Sequence, residues 1–140
     1  DFLNYDQPWA AGAPRFEGGT PNFLGALSLA TAVDTFARAD REAVAAHILM
    51  LTDRLYDGVR ALGASVISER GDGTSSGIVT FAFGGVDAVE LGRTIQHEEK
   101  IVTTWRPNGI RVSPHGYNTV EDIDRLLDAL ARRVPAKGRS

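Results

Sequence analysis

Arg111, Ser113 and His115 put a cation, a hydroxyl and an imidazole within five residues of one another, in the run Ile110-Arg111-Val112-Ser113-Pro114-His115-Gly116-Tyr117-Asn118-Thr119. A guanidinium is a planar fork of N–H donors and matches a carboxylate bidentately, so the chemistry this grouping suits is reception of a carboxylate. Ile110 and Val112 alternate with Arg111 and Ser113. That period of two predicts a short strand that buries the aliphatics and turns Arg111 and Ser113 to its other face. Pro114 has no N–H for a ladder and should end the strand. Asn118 or Thr119 then caps a helix whose first turn carries Glu121, Asp122 and Asp124, with Asn118 and Glu121 at capping-box spacing.

The elements that must hold this strand are legible in outline. Residues 1–21 lack a usable period and are rich in Gly and Pro, so they read as loop with a short strand around Arg15 to Glu17. Asn22 caps a helix with Leu24, Leu27, Ala30, Val33 and Ala37 on one side, short and Ala-rich and therefore expected to be well buried. Asp40 opens a second helix in which Val44, Ile48, Leu51, Leu55, Val59 and Leu62 follow the 3.6-residue period, with Gly63 where a left-handed C-terminal residue belongs. Strands are expected at Ala64 to Ser68 and Ile78 to Phe83, joined by the polar, flexible loop Gly71 to Gly77. Asp87 and Glu90 start a helix with Leu91 and Ile95 inward and Gln96 to Lys100 as its polar end. Ile101 to Trp105 is a third strand, turned by Arg106-Pro107-Asn108-Gly109 into the strand of Arg111. Ile123, Leu126, Leu127, Leu130 and Val134 mark the last helix, and Ala136 to Ser140 should fray. Helices on one face of a small, mainly antiparallel sheet make an α+β layer.

The bulk properties narrow the function classes. The 140 residues are one domain's worth, 43% apolar and 24% charged, ordinary values for a globular chain. A net charge of −3 and a pI near 5.6 give no electrostatic case for nucleic acid or an anionic membrane. Cysteine is absent, which removes disulfides, thiolate metal sites and cysteine nucleophiles from these residues. No apolar run reaches the roughly 20 residues of a membrane span, and the first residues do not form a signal peptide, so a cytoplasmic protein is expected. The chain opens without Met and runs straight into Pro8-Trp9 and a Gly/Ala/Pro stretch, as a fragment or processed piece would.

Three stretches in register resemble the C-terminal part of the class V aminotransferases, a family of pyridoxal-phosphate enzymes that includes isopenicillin-epimerase-like proteins, kynureninases and cysteine desulfurases. They are Arg15-Phe16-Glu17-Gly18-Gly19-Thr20-Pro21-Asn22, then Gly77-Ile78-Val79-Thr80-Phe81 with Gly85-Val86-Asp87-Ala88, and last the Arg111 run with Asp122-Ile123-Asp124-Arg125-Leu126-Leu127. The resemblance implies a remnant of the large cofactor-binding domain and a connecting loop over residues 1–21, a small C-terminal domain over 22–134 and a frayed tail over 135–140. It implies that Arg111 binds the substrate carboxylate of an amino acid. It further implies that Thr20, with Gly19 and Gly18 letting backbone amides approach, contacts the phosphate of pyridoxal 5'-phosphate in the neighbouring subunit of a homodimer. The family's Schiff-base lysine is not matched, since Lys100 and Lys137 are the only lysines; no catalytic residue is assigned, and the chain alone should be inactive. The segment Arg106 to Gly109 has no sulfur nucleophile, which disfavours cysteine desulfuration. The rival reading is a free-standing, non-catalytic α+β binding or regulatory domain.

Apart from the resemblance, Arg111 reads as a surface ion pair, Thr20 as a turn residue, and Arg15 and Glu17 as partners of each other or of their loop. His115 reads as packing at a strand end, Trp105 and Arg106 as a packed hairpin, and His47 and His97 as structural.

Overall fold

A computed structural model describes residue 6 and residues 8–134; the expected fraying of Ala136 to Ser140 lies outside them. The chain forms two compact units, Asp1–Ala39 and Asp40–Ser140.

In the first unit the Gly/Pro-rich stretch ends in a 3-10 turn, Ala13–Phe16, with Pro14 in its first residues. This replaces the strand expected around Arg15 to Glu17. Pro14 fixes φ near the helical value and lacks the N–H a ladder would need, so the turn is the cheaper local solution. Arg15 does not pair with Glu17; its guanidinium lies 5.2 Å from the centre of the Phe16 ring. Helix α1, Phe23–Arg38, starts where predicted, the Asn22 side chain accepting a hydrogen bond from Gly25 N at 2.9 Å. The predicted burial of α1 does not hold: none of its residues is buried, and Leu24 and Leu27 are 80% and 66% exposed. A lone helix and an irregular loop have no second apolar layer with which to enclose a core.

The second unit begins with α2, Arg41–Ala61, whose N-cap Asp40 accepts from the backbone of Glu42 and Ala43. Leu51, Leu55 and Val59 lie on its inner face and are wholly buried, a burial that stabilises by about 1.5–3 kcal/mol each. Gly63 takes φ 92°, and Gly63 N and Ala64 N return to the carbonyls of Arg60 and Val59. This Schellman closure is the predicted stop.

The strands β1 (Ser65–Val66), β2 (Val79–Ala82), β3 (Thr104–Arg106) and β4 (Gly109–Val112) form one antiparallel sheet in the order β1-β2-β4-β3. Strand β3 is shorter than expected and starts at Thr104 rather than Ile101. Val79 and Phe81 of β2 stand opposite Val112 and Ile110 of β4, and all four are buried with α2 and α4 (Val120–Ala131) in a single core. Helix α3, Ala88–Thr94, is capped by Asp87 as predicted and brings Leu91 into that core. It lies so close to β3 that a Cβ on Gly92 would sit 2.3 Å from the Trp105 ring. The polar end predicted for this helix widens into a π-turn, Ile95–Glu99, closed by Lys100 in the left-handed conformation at φ 57°. Helices thus cover one face of the sheet, and the fold is α+β as the period changes indicated.

The loop Gly71 to Gly77, expected to be flexible, is clamped. The Arg70 side chain is only 6% exposed and donates to Ser76 O, Leu49 O, Thr52 Oγ1 and Asp53 Oδ1. A polar residue four positions after one strand and nine before the next gave no sequence sign of that anchoring.

Candidate functional site

Arg111 sits on β4, an interior strand of the sheet. Thr80 of β2 and Thr104 of β3 are its cross-strand partners. Side chains opposite one another in register share a face, so the Arg111 side chain emerges between two threonine side chains on the face opposite the buried Ile110 and Val112. Its neighbours Ile110 and Val112, 2% and 8% exposed, are locked in the core on the other side. A backbone paired on both edges and pinned by two buried aliphatics gives the arginine a rigid base. Among the described residues the Arg111 side chain makes no ion pair, hydrogen bond or ring contact, so the expected surface ion pair is not met among them.

The segment after β4 is held by backbone and helix contacts. Pro114 is buried and ends the strand. His115 N donates to Asn118 Oδ1, Asn118 N donates to His115 O, and a ring nitrogen of His47 on α2 lies 2.9 Å from Asn118 O. His47 is therefore structural, as read. The His115 ring stacks on Tyr117 with centroids 5.4 Å apart, a packing role at the strand end. The capping box falls one residue later than the first expected spacing: Thr119 caps α4, its hydroxyl accepting from Asp122 N while Asp122 accepts from Thr119 N. That hydrogen bond holds the Asp122 carboxyl below its ordinary pKa, with the Asn118 amide adding to it. Thr has the shorter reach from hydroxyl to the third amide, which frees Asn118 to close the preceding turn.

Helix α4 is tied to α2 by Arg54, which grips Asp124 with Nε at 2.6 Å and a second nitrogen at 2.8 Å. Hydrogen bonding from Arg54 holds the Asp124 carboxyl below its usual range. The end of α4 is tied to the π-turn by Arg132 and Arg133, both on Glu99, whose carboxyl they likewise lower; Arg125 also donates to the Glu99 carbonyl. These pairs brace the layer beneath Arg111 and leave that arginine itself uncommitted.

Thr80 and Thr104 were not singled out in the sequence. Each lies in a β-rich run, but only the register shows that both flank Arg111. Trp105 belongs to the packed hairpin, with its ring against Gly92 and the Arg93 guanidinium 5.7 Å from the ring centre. Arg106, by contrast, is exposed.

In the first unit, Gly18, Gly19 and Thr20 lie in an exposed loop. They belong to the first compact unit and Arg111 to the second.

The family described as aminotransferase class-V matches residues 3–126. The chain belongs to that family. Its members are pyridoxal-phosphate-dependent enzymes of fold type I, and the chain covers part of such an enzyme. A probable cysteine desulfurase of Vibrio cholerae is 34% identical over 145 residues, an alignment that takes in 94% of this chain and 35% of that protein. The chain thus spans about a third of the length of the curated relatives it matches. Among solved structures, the apo cysteine desulfurase of Thermococcus onnurineus superposes with a TM-score of 0.76 at 25% identity, over 87% of this chain and 34% of that one. The Escherichia coli cysteine desulfurase CsdA, in its S-sulfonic acid form, gives 0.70 at 26% identity over 83% and 31%.

The class-V cofactor has a phosphate and an aldehyde, and the residues present fit them unequally. At the phosphate end the chemistry is suitable. Gly19 takes φ 88°, a Cβ at Gly18 or Gly19 would meet nothing within 4 Å, and the Thr20 hydroxyl has no hydrogen-bond partner among the described residues. Open backbone amides and a free hydroxyl are the donor set that holds a phosphate. At the aldehyde end the one lysine among the described residues is already engaged: Lys100 Nζ donates to His97 O at 2.8 Å to close the π-turn; Lys137 lies outside the described residues.

Proposed function

We propose that the chain is the C-terminal part of a class-V enzyme acting on an amino acid, in which Arg111 receives the substrate's α-carboxylate. The observation that carries this is an arginine on a rigid interior strand, between two threonines and without a counter-anion among the described residues. Such a guanidinium needs no partner to be displaced before it takes up an anion. Residues 22–134 would be the small domain, residues 1–21 the end of the large one.

Thr20 and Gly19, with Gly18, would hold the phosphate of pyridoxal 5'-phosphate in a homodimer. When bound, that cofactor supplies the electron sink for bond breaking at the substrate α-carbon. The chain's own part is to fix the carboxylate, and so the orientation of the α-carbon. With no amine offered to the aldehyde, these residues alone would be inactive, and proton transfer at the α-carbon would fall to a group in the remaining two-thirds of the enzyme. The relatives' names point to cysteine desulfuration. That reaction needs a thiol to accept sulfur, and the two-residue turn Pro107-Asn108 and the rest of the 140 residues contain none. Transamination, epimerisation and a lyase reaction need no such thiol.

Arg111→Ala in the full-length protein should weaken amino-acid binding by about 2 kcal/mol or more and leave the cofactor's absorbance intact. Titration of the variant with amino acids checks this, and unchanged affinity would remove Arg111 from the site.

A further inference from the structure

If Arg111 holds the α-carboxylate, as proposed above, the hairpin beside it supplies a second receptor. Thr104 stands opposite Arg111 and Arg106 opposite Gly109. Arg106, two residues along β3 from Thr104, therefore emerges on the same uncovered face, diagonal to Arg111. Trp105 between them turns to the covered face and packs on Gly92, which fixes the alternation. Diagonal positions in an antiparallel pair are about 7–8 Å apart, a separation that two long side chains can span to reach both ends of one small molecule.

The other arginines show how selective this placement is. Among the described residues, Arg38, Arg54, Arg70, Arg132 and Arg133 are ion-paired. Arg15, Arg60 and Arg93 lie over aromatic rings, and Arg125 is bonded to the Glu99 carbonyl. Of the described arginines, Arg41, Arg106 and Arg111 alone have no such partner, and two of these three share one sheet face. Like charges on neighbouring strands oppose each other. With no carboxylate of the described residues paired to either, the two are complementary to two anionic groups, not one.

We infer that Arg106 receives a second anionic group on the substrate's side chain, so that the substrate class is an acidic amino acid. A receptor of this kind discriminates strongly against a neutral isostere, because the isostere leaves a guanidinium without its anion.

The test is calorimetric titration of the full-length, cofactor-loaded protein with L-aspartate against L-asparagine, and L-glutamate against L-glutamine. The unaltered protein should bind the acidic member of at least one pair about tenfold or more tightly than the amide. Arg106→Gln should bring that ratio to within about twofold while leaving the amide's affinity unchanged, and Arg106→Lys should restore part of it. No preference for either acid overturns the assignment. So does a preference that survives Arg106→Gln; if that variant lowers only the melting temperature, Arg106 pairs instead with a carboxylate elsewhere in the full-length chain. Arg111→Ala keeps the two ideas apart. Its failure to weaken any of the four amino acids would defeat the α-carboxylate reading, whereas a loss common to all four, with no acid preference, defeats only the role of Arg106.

Discussion

Helices α1 and α2 begin alike, each with an Asn or Asp whose side chain accepts from the first-turn amides, and each carries aliphatics at helical spacing. Their surroundings differ. Along α2, Leu51, Leu55 and Val59 are wholly removed from solvent; along α1, Phe23, Leu24, Leu27, Leu29, Val33 and Phe36 are all more than half exposed. The caps and the period fix where a helix runs and which side seeks cover. Whether cover exists depends on what else the chain can fold beside it. For α2 a four-stranded sheet and α4 supply it; within residues 1–39 nothing comparable is available.

The largest effect should come from the sheet centre, where Phe81→Ala removes a wholly buried ring and should destabilise the second unit by about 3–5 kcal/mol in urea denaturation. A loss below about 1 kcal/mol would mean that the core is not organised around β2. Next is Gly92→Ala, which forces a methyl group against Trp105 and should cost about 1–3 kcal/mol, with a change in Trp105 fluorescence; no change in either would break the α3–β3 packing.

Acid should act on the second unit more gently. Glu99, Asp122 and Asp124 all have folded-state pKa values lowered by their hydrogen-bond donors. A lowered pKa contributes stability that is complete above the unfolded value, about 4 for a carboxyl, and is lost as pH falls through the folded one. Melting temperatures should hold between pH 7 and pH 5 and drop below about pH 4, and Arg54→Ala should shallow that drop; a steeper fall in the variant would reverse the assignment. The smallest effect belongs to α1, where Leu27→Ser should change stability by no more than about 0.5 kcal/mol. A loss as large as that of a core residue would show that the face of α1 is covered after all, and the contrast between the two helices would close.

Local chemistry was enough to locate the caps at Asn22, Asp40 and Asp87, the stop at Gly63, and the alternation that puts Ile110 and Val112 on one side of β4 and Arg111 on the other. Each rests on interactions within a few residues, so one-dimensional spacing carries them. The same locality misled at Arg15, where Pro14 outweighed the β-like appearance of its neighbours, and at α1, where composition was read as burial. It was silent on Arg70, whose partners Leu49 and Thr52 lie about twenty residues away in sequence.

The candidate site divides in the same way. Its central residue, the strand that carries it and the turn that follows were all determined by the sequence, and so was membership of the class-V family through the stretches around Thr20, Asp87 and Arg111. That Thr80 and Thr104 flank the arginine, that Arg106 shares its face and that no carboxylate of the described residues neutralises either cation were decided only by the tertiary structure. Strand order and register bring together residues some thirty positions apart, and they are set by the packing of Val79, Phe81, Ile110 and Val112 against the helices, a property of the assembled core that no single stretch contains.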